Sequence, residues 1–289
     1  MDDRDIKTPR KRLAGALNRK RVVRSTVWVL GIYMVFFLYA LFFADHLVFR
    51  PQPASYTDDE RILKVKTREG TTISMRYLSN PGATYTILYS HGNAEDLGDI
   101  QEVLHQFYKH GFSIIAYDYS GYGTSSGEPS EDAAYADISA VFDYAVQQIG
   151  LRAHDMLIFG RSIGASPSLD LAARENVGGL IIESPFVSAF RVITTIPIFP
   201  VDKFDNLRTI TAVSCPVLVI HGKRDSTIPF WHGEKLYERA NPPKMKLWVD
   251  TARHNDVMWS AGEEYWETLE RFVELVEEFR SKPPGMGAS

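Results

Sequence analysis

The stretch Gly160, Arg161, Ser162, Ile163, Gly164 decides how the rest of this chain is read. It follows an apolar run over residues 156–159 and precedes a helix-compatible run over 165–174, so a strand turns sharply into a helix there. Glycines two positions either side of a serine let strand and helix pack closely around a strained turn, the nucleophile elbow, which leaves the Ser162 hydroxyl exposed at the helix N-terminus. Alone, the pattern is weak, because Gly and Ser are common in turns. Its meaning depends on the residues downstream.

A serine hydroxyl is a poor nucleophile until a base takes its proton, and the base must be held in one tautomer by a carboxylate. On a strand–elbow–helix scaffold the chain order is serine, acid, histidine. Of the three histidines after Ser162, His221 ends the apolar run 216–220 and reads as a packed strand-end residue, and His232 lies too close to the acid candidates to come from a separate loop. His254 sits in a loop, residues 251–255, between the strand-like run 246–249 and a long C-terminal helix, where a base can reach back to Ser162. Asp225, in His221-Gly-Lys-Arg-Asp-Ser-Thr-Ile-Pro just beyond a strand, is the expected acid, with Glu183 at the end of run 179–182 as the fallback. Singly, Asp225 reads equally as an Asx turn and His254 as a surface loop histidine; their joint order on these loops favours chemistry.

Acyl transfer also needs donors for the oxyanion that develops on the attacked carbonyl. The Ile163 N–H, directly after the nucleophile, is one. The second is expected from the loop after an earlier strand, where residues 85–90 run into His91-Gly92-Asn93-Ala94 and Asn93 N–H is the choice. His91 reads as a loop-shaping residue, not a second base.

These residues carry a resemblance to the α/β-hydrolase superfamily. The segments HGNAEDLGD, YDYSGYGTSSGEPSE, GRSIGAS, ESPF, LVIHGKRDSTIP and HND resemble one membrane-associated branch that includes protein depalmitoylases and single-pass anchored hydrolases, over roughly residues 60–280. The resemblance implies Ser162 as nucleophile, Asp225 as acid, His254 as base, and Asn93 with Ile163 as oxyanion donors. It departs in one respect: the depalmitoylases carry a lipidated N-terminal cysteine cluster, and this N-terminus has no cysteine.

The remainder of the chain fits an α/β hydrolase with an appendage. At 289 residues, 45% hydrophobic and 24% charged, there is room for one α/β domain with a full core. Cys215 is the sole cysteine, so no intramolecular disulfide forms, and no Cys/His spacing suggests a metal; no cofactor is expected. Residues 1–24 hold nine Lys/Arg against three Asp and read as a disordered basic cytoplasmic tail. Residues 25–44 are twenty uncharged residues, about 30 Å as a helix, enough to cross a bilayer. The run exceeds a signal-peptide h-region, no A-x-A site follows, and it is apolar on every face, so a transmembrane anchor is expected.

The twenty residues before that run contain eight Lys/Arg and the twenty after it three, which predicts a cytoplasmic N-terminus and an extracytoplasmic catalytic domain, periplasmic or lumenal. Removing the tail's +6 from the net −4 leaves −10 for the rest, which argues against a nucleic-acid partner.

Residues 45–60, with Pro51 and Pro53, read as a tether, 61–281 as the hydrolase domain and 282–289 as a disordered tail. Runs at 62–67 and 71–78 around Glu69-Gly70 predict an antiparallel edge hairpin. Alternating strands and helices come next: 85–90, 99–109, 112–117, 131–148 and the elbow. They predict a mostly parallel sheet with helices on both faces and the site at the strands' carboxyl ends. The glycine-rich loop 121–127 lacks the Lys-Ser/Thr of a phosphate cradle and reads as a pocket wall.

The 184–213 insertion, where this fold places its cap, is short, and its apolar centre is broken by Pro197 and Pro200. It reads equally as core cover or as a wall for an acyl chain, with Ile196, Ile198 and Phe199 as candidate substrate-binding residues. The leading expectation is a membrane-anchored serine hydrolase of an ester or thioester. A serine peptidase or amidase, and a non-catalytic binding protein on the same scaffold, are the alternatives.

Overall fold

The computed structural model describes residues 9–192, 194 and 202–281, and the chain divides into two units, Met1–Leu47 and Val48–Ser289. The first contains most of one helix, α1 (Pro9–Val48). It begins well before the apolar run and takes in much of the basic segment expected to be disordered. Pro9 is its first residue, a position where the missing N–H costs nothing, and the Ala, Leu, Lys and Arg beyond it are good helix formers. Within it, Arg21–Tyr39 has mean hydropathy 1.7 and contains no buried residue, with Val27, Trp28 and Val35 all exposed.

The second unit opens with an irregular strap, not a free tether. Phe49 is buried, edge-on to the rings of Tyr122 and Phe204. Arg50 N–H donates to Asn93 Oδ1 at 3.0 Å and to Tyr122 Oη at 2.9 Å, and Asn93 Nδ2 donates to the Val48 carbonyl at 2.6 Å. Further along, Ser55 bonds Asp96 through both its N–H and its hydroxyl, and the Tyr56 hydroxyl donates to Asp118. Structurally the catalytic unit therefore starts at Val48 instead of residue 61.

Next come β1 (Ile62–Lys66), β2 (Thr72–Leu78), β3 (Thr86–Ser90), α2 (Gln101–Lys109) and β4 (Ser113–Tyr117). They are followed by α3 (Glu131–Tyr144), β5 (Met156–Arg161), α4 (Ala165–Arg174) and β6 (Gly179–Glu183). The chain continues through α5 (Asn206–Thr209), β7 (Val217–Gly222), α6 (Trp231–Arg239), β8 (Lys244–Val249), α7 (Val257–Ala261) and α8 (Glu263–Ser281). Helix α3 was expected to continue to 148; its last turn, Ala145–Ile149, is instead π-helical and stops at Gly150, in the left-handed region.

The eight strands lie in the order β1-β2-β4-β3-β5-β6-β7-β8. Only the pairings β1–β2 and β2–β4 are antiparallel; β4, β3, β5, β6, β7 and β8 run parallel. Strand side chains alternate between two cores, as the two-residue period requires. Leu88, Met156 and Ile158 face α3, α4 and α6, whereas Ile87, Tyr89, Leu157 and Phe159 face α2 and α8. Phe107 of α2 meets Phe159 and Trp266 edge-on, the packing that seals the second layer. Cys215 is buried in the first layer, and burial pushes its thiol up to about 12.

The chain leaves β3 toward β4 on one side and returns to β5 on the other, so strand order reverses between β3 and β5. A crevice at the carboxyl ends of the strands opens at such a switch point. Ser90, last in β3, pairs with Gly160, so the His91–Asn93 loop and the Gly160–Gly164 turn emerge side by side.

The elbow's glycines are required by contact. A Cβ on Gly160 would lie 2.3 Å from the Gly164 carbonyl oxygen, and one on Gly164 only 2.2 Å from that of Ser90. Gly164→Ala is expected to lower stability by about 3 kcal/mol, the upper end of overpacking costs, because backbone must move. Gly82→Ala, whose Cβ would meet only Asn80 Oδ1 at 3.8 Å, serves as the reference. Matching urea midpoints for the two variants would show that the elbow is not close-packed.

Candidate active site

Ser162 sits at the apex of the elbow with φ 55°, a left-handed conformation that a non-glycine residue adopts only when the surrounding structure enforces it. A single 3-10 turn, Ser162–Gly164, leads into α4. The Ile163 N–H lies in that first turn, where amides have no intrahelical acceptor.

His254 reaches Ser162 from the loop between β8 and α7. Its Nδ1 lies 2.7 Å from Asp225 Oδ2 and its Nε2 3.0 Å from Ser162 Oγ. With the carboxylate ionised, Nδ1–H donates to Asp225, which leaves the Nε2 lone pair to accept the Ser162 O–H. The other Asp225 oxygen accepts the N–H groups of Thr227 and Ile228, each at 2.8 Å. Burial pushes the Asp225 carboxyl up, but hydrogen bonds from His221, His254 and Ile228 outweigh it and hold the group well below the usual carboxylate range. Arg253 N–H donates to Asp256 Oδ1 at 2.6 Å, which closes the loop on either side of His254.

Glu183, the fallback acid, is placed elsewhere. It is buried, accepts the Tyr265 hydroxyl at 2.7 Å and lies 3.7 Å from Arg161 Nε. Burial, the largest influence, raises its carboxyl, with Arg161 and Tyr265 acting against that rise.

The other histidines take packing positions. His221 is fully buried, with Nε2 donating to the Ile228 carbonyl at 3.0 Å, which braces the turn that carries Asp225. His232 is buried on α6, where its Nδ1 accepts the Val187 N–H at 3.2 Å and burial depresses it to about 4. His91 Nδ1–H donates to the Gly92 carbonyl at 2.8 Å, and its own carbonyl accepts the Tyr119 hydroxyl at 2.6 Å, so it shapes the loop at the end of β3.

In that loop Ala94 also has positive φ, and the Asn93 amide oxygen accepts Arg50 N–H, Ala94 N–H and the Tyr122 hydroxyl. The Asn93 side chain is thus committed to the strap, and only its backbone N–H is available for an oxyanion. Ile196, Ile198 and Phe199 lie outside the described residues.

Two features escape a reading of the sequence. The strap has no hydrophobic periodicity, and nothing local marks Asn93, Asp96 or Asp118 as its partners. Arg161 does carry a signal: a cation closing an otherwise apolar strand flanked by buried strands must find carboxylates, and it does, in Glu95 and Glu183.

A doubly layered, mostly parallel sheet with a serine elbow at its switch point defines the α/β-hydrolase class. The family model described as serine aminopeptidase, S33 (Hydrolase_4) matches residues 82–199. The chain is 42% identical over 219 residues to alpha/beta hydrolase domain-containing protein 17B of Xenopus tropicalis, covering 73% of each chain. It is 41% identical to 17B of Homo sapiens over the same shares. It is also 41% identical over 198 residues to the aho-3 protein of Caenorhabditis elegans, a match spanning 68% of this chain and 59% of that relative's length.

Among solved structures, the Pyrococcus furiosus esterase Pf2001 superposes with TM-score 0.66 at 17% identity, over 78% of this chain and 98% of that one. The chain belongs to the alpha/beta hydrolase domain-containing protein 17 family of the α/β-hydrolase superfamily and is a serine hydrolase of the esterase or thioesterase type.

Proposed function

We propose that this chain cleaves a carboxylic ester or thioester of an acylated lipid or protein through an acyl-enzyme, working at a membrane to which α1 anchors it. The observation that carries this is the continuous hydrogen-bonded chain Ser162–His254–Asp225 beneath the elbow. His254 Nε2 takes the hydroxyl proton as Ser162 Oγ attacks the carbonyl carbon. Asp225 holds the imidazole in the required tautomer and stabilises the imidazolium. The backbone N–H groups of Ile163 and Asn93 receive the oxyanion. His254 then returns the proton to the leaving alcohol or thiol, and water repeats the sequence on the acyl-enzyme. None of these steps draws on a cofactor.

The exposed apolar surface of Arg21–Tyr39 and the basic residues before it support anchoring, with the N-terminus cytoplasmic and the hydrolase extracytoplasmic. Ile196, Ile198 and Phe199 are proposed to line the acyl site. The same catalytic groups would serve an amidase, the reading that the matched model's description favours.

Fluorophosphonate labelling is expected in the wild type and lost in Ser162→Ala; equal labelling of both would remove Ser162 as nucleophile. Asp225→Asn should fold normally yet lower kcat by about 10⁴, whereas a larger loss from Glu183→Gln would move the acid there. Each buried methylene adds roughly 0.8 kcal/mol of binding, so kcat/KM for p-nitrophenyl esters should climb with chain length, and Phe199→Asp should flatten the climb. Faster cleavage of peptide anilides than of esters would replace the proposal with the amidase reading. Reporter fusions after Ser289 should be active only outside the cytoplasm; activity inside would reverse the topology.

A further inference from the structure

We propose that Arg161 is a positioning residue that fixes the oxyanion loop and the base loop to the strand carrying the nucleophile, through a single buried guanidinium. The proposal rests on the acyl-enzyme reading above and adds to it a group that touches none of the reacting atoms.

Arg161 is the last residue of β5, immediately before Ser162, and its side chain is only 10% exposed. One arm, Nη1, donates to Glu95 Oε1 at 2.5 Å. The other oxygen of that carboxylate accepts the Gly92 N–H at 2.9 Å. The Gly92 N–H belongs to the His91–Gly92 peptide, and the Gly92 carbonyl, coplanar with the Asn93 N–H, is held by His91 Nδ1 at 2.8 Å, so the two bonds together set the conformation from which Asn93 presents its N–H.

The second arm, Nη2, donates to Asn255 Oδ1 at 2.8 Å, and Asn255 directly follows His254. Nε faces Glu183, 3.7 Å away, whose far oxygen is held by the Tyr265 hydroxyl. A guanidinium is planar and its donors diverge at fixed angles, so bonds to two loops fix both relative to the strand between them. Removing this charge from water is costly, and the fold meets that cost with two carboxylates, one on each side. A point charge such as lysine would neutralise the carboxylates without reaching both loops.

Gly92 is part of the same construction. A Cβ there would lie 2.8 Å from Glu95 Oε2 and 3.7 Å from Arg161 Nη1, so the carboxylate that carries the bond occupies the space a side chain would need. The two loops keep anchors of their own, Asp225 for His254 and the strap for Asn93. Losing Arg161 therefore misaligns the site without dismantling it, and small misplacements cost rate more than ground-state binding.

The test uses the full-length chain in detergent or bilayer with a p-nitrophenyl ester as substrate and an alkylboronic acid as the transition-state mimic. Arg161→Lys and Asn255→Leu should each lower kcat by about 10- to 100-fold. KM should stay within about threefold, and the boronic acid should bind more weakly by a factor similar to the kcat loss. Glu95→Gln combined with Arg161→Lys should be little slower than Arg161→Lys alone, because both cut one chain of bonds.

Arg161→Lys with wild-type kcat, or a fall in melting temperature with kcat unchanged in both variants, would reduce Arg161 to a structural ion pair and overturn the proposal. If Arg161→Lys fails to fold, Asn255→Leu decides, since it leaves no carboxylate unpaired. Residual turnover in Ser162→Ala at the wild-type rate would overturn the acyl-enzyme reading itself. A dead Ser162→Ala beside fully active Arg161→Lys and Asn255→Leu would overturn the positioning role alone.

Discussion

The closeness of β5 to α4 at Gly160 and Gly164 is the constraint on which the rest of the molecule depends. Backbone meets backbone there at distances no side chain permits, and the Gly164 contact is with the end of β3, the neighbouring strand. The turn is forced into a left-handed apex at Ser162. Because β3 and β5 flank the point where strand order reverses, the same packing brings the His91–Asn93 loop against the serine. The placement of Ser162 and the sheet topology thus meet in one contact, and the loops carrying Asp225 and His254 extend from β7 and β8 to reach it.

Around that contact the interior is unusually polar for a sheet buried on both faces. Arg161, Glu95, Glu183, Tyr265 and Asn255 form one connected group behind Ser162. Asp96, Asp118 and Tyr56 form another beneath the strap. Partly satisfied networks of this kind would destabilise a core, whereas satisfied ones fix a single arrangement. Loops that carry catalytic groups are otherwise among the least stable parts of a fold. Here the loops carrying Asn93 and His254 are both tied to Arg161 at the end of β5.

How much of this is legible in the sequence depends on whether a feature is periodic or pairwise. Parallel strands show as apolar runs, and the elbow as two glycines around a serine, because both are local requirements of backbone geometry. Chain order leaves both Asp225 and Glu183 open as the partner of His254, and the structure separates them: Glu183 points at Tyr265, a residue 82 positions on that no local pattern could connect to it. The strap reads as a tether because its prolines and polar residues look solvated until Asn93, Asp96 and Asp118 are known to face them. The start of α1 is hidden because charge, which argues against burial, says little about helicity; Lys and Arg are good helix formers.

Cys215 gives the chain a property that concerns acyl chemistry as much as stability. Thiolates attack thioesters readily, and an exposed cysteine near an activated acyl group becomes a competing acceptor that traps the group on the wrong residue. The sole sulfhydryl here is sealed in the core and held protonated by burial far above neutral pH. An acyl group that reaches this molecule therefore finds no accessible thiol in Cys215 to migrate to.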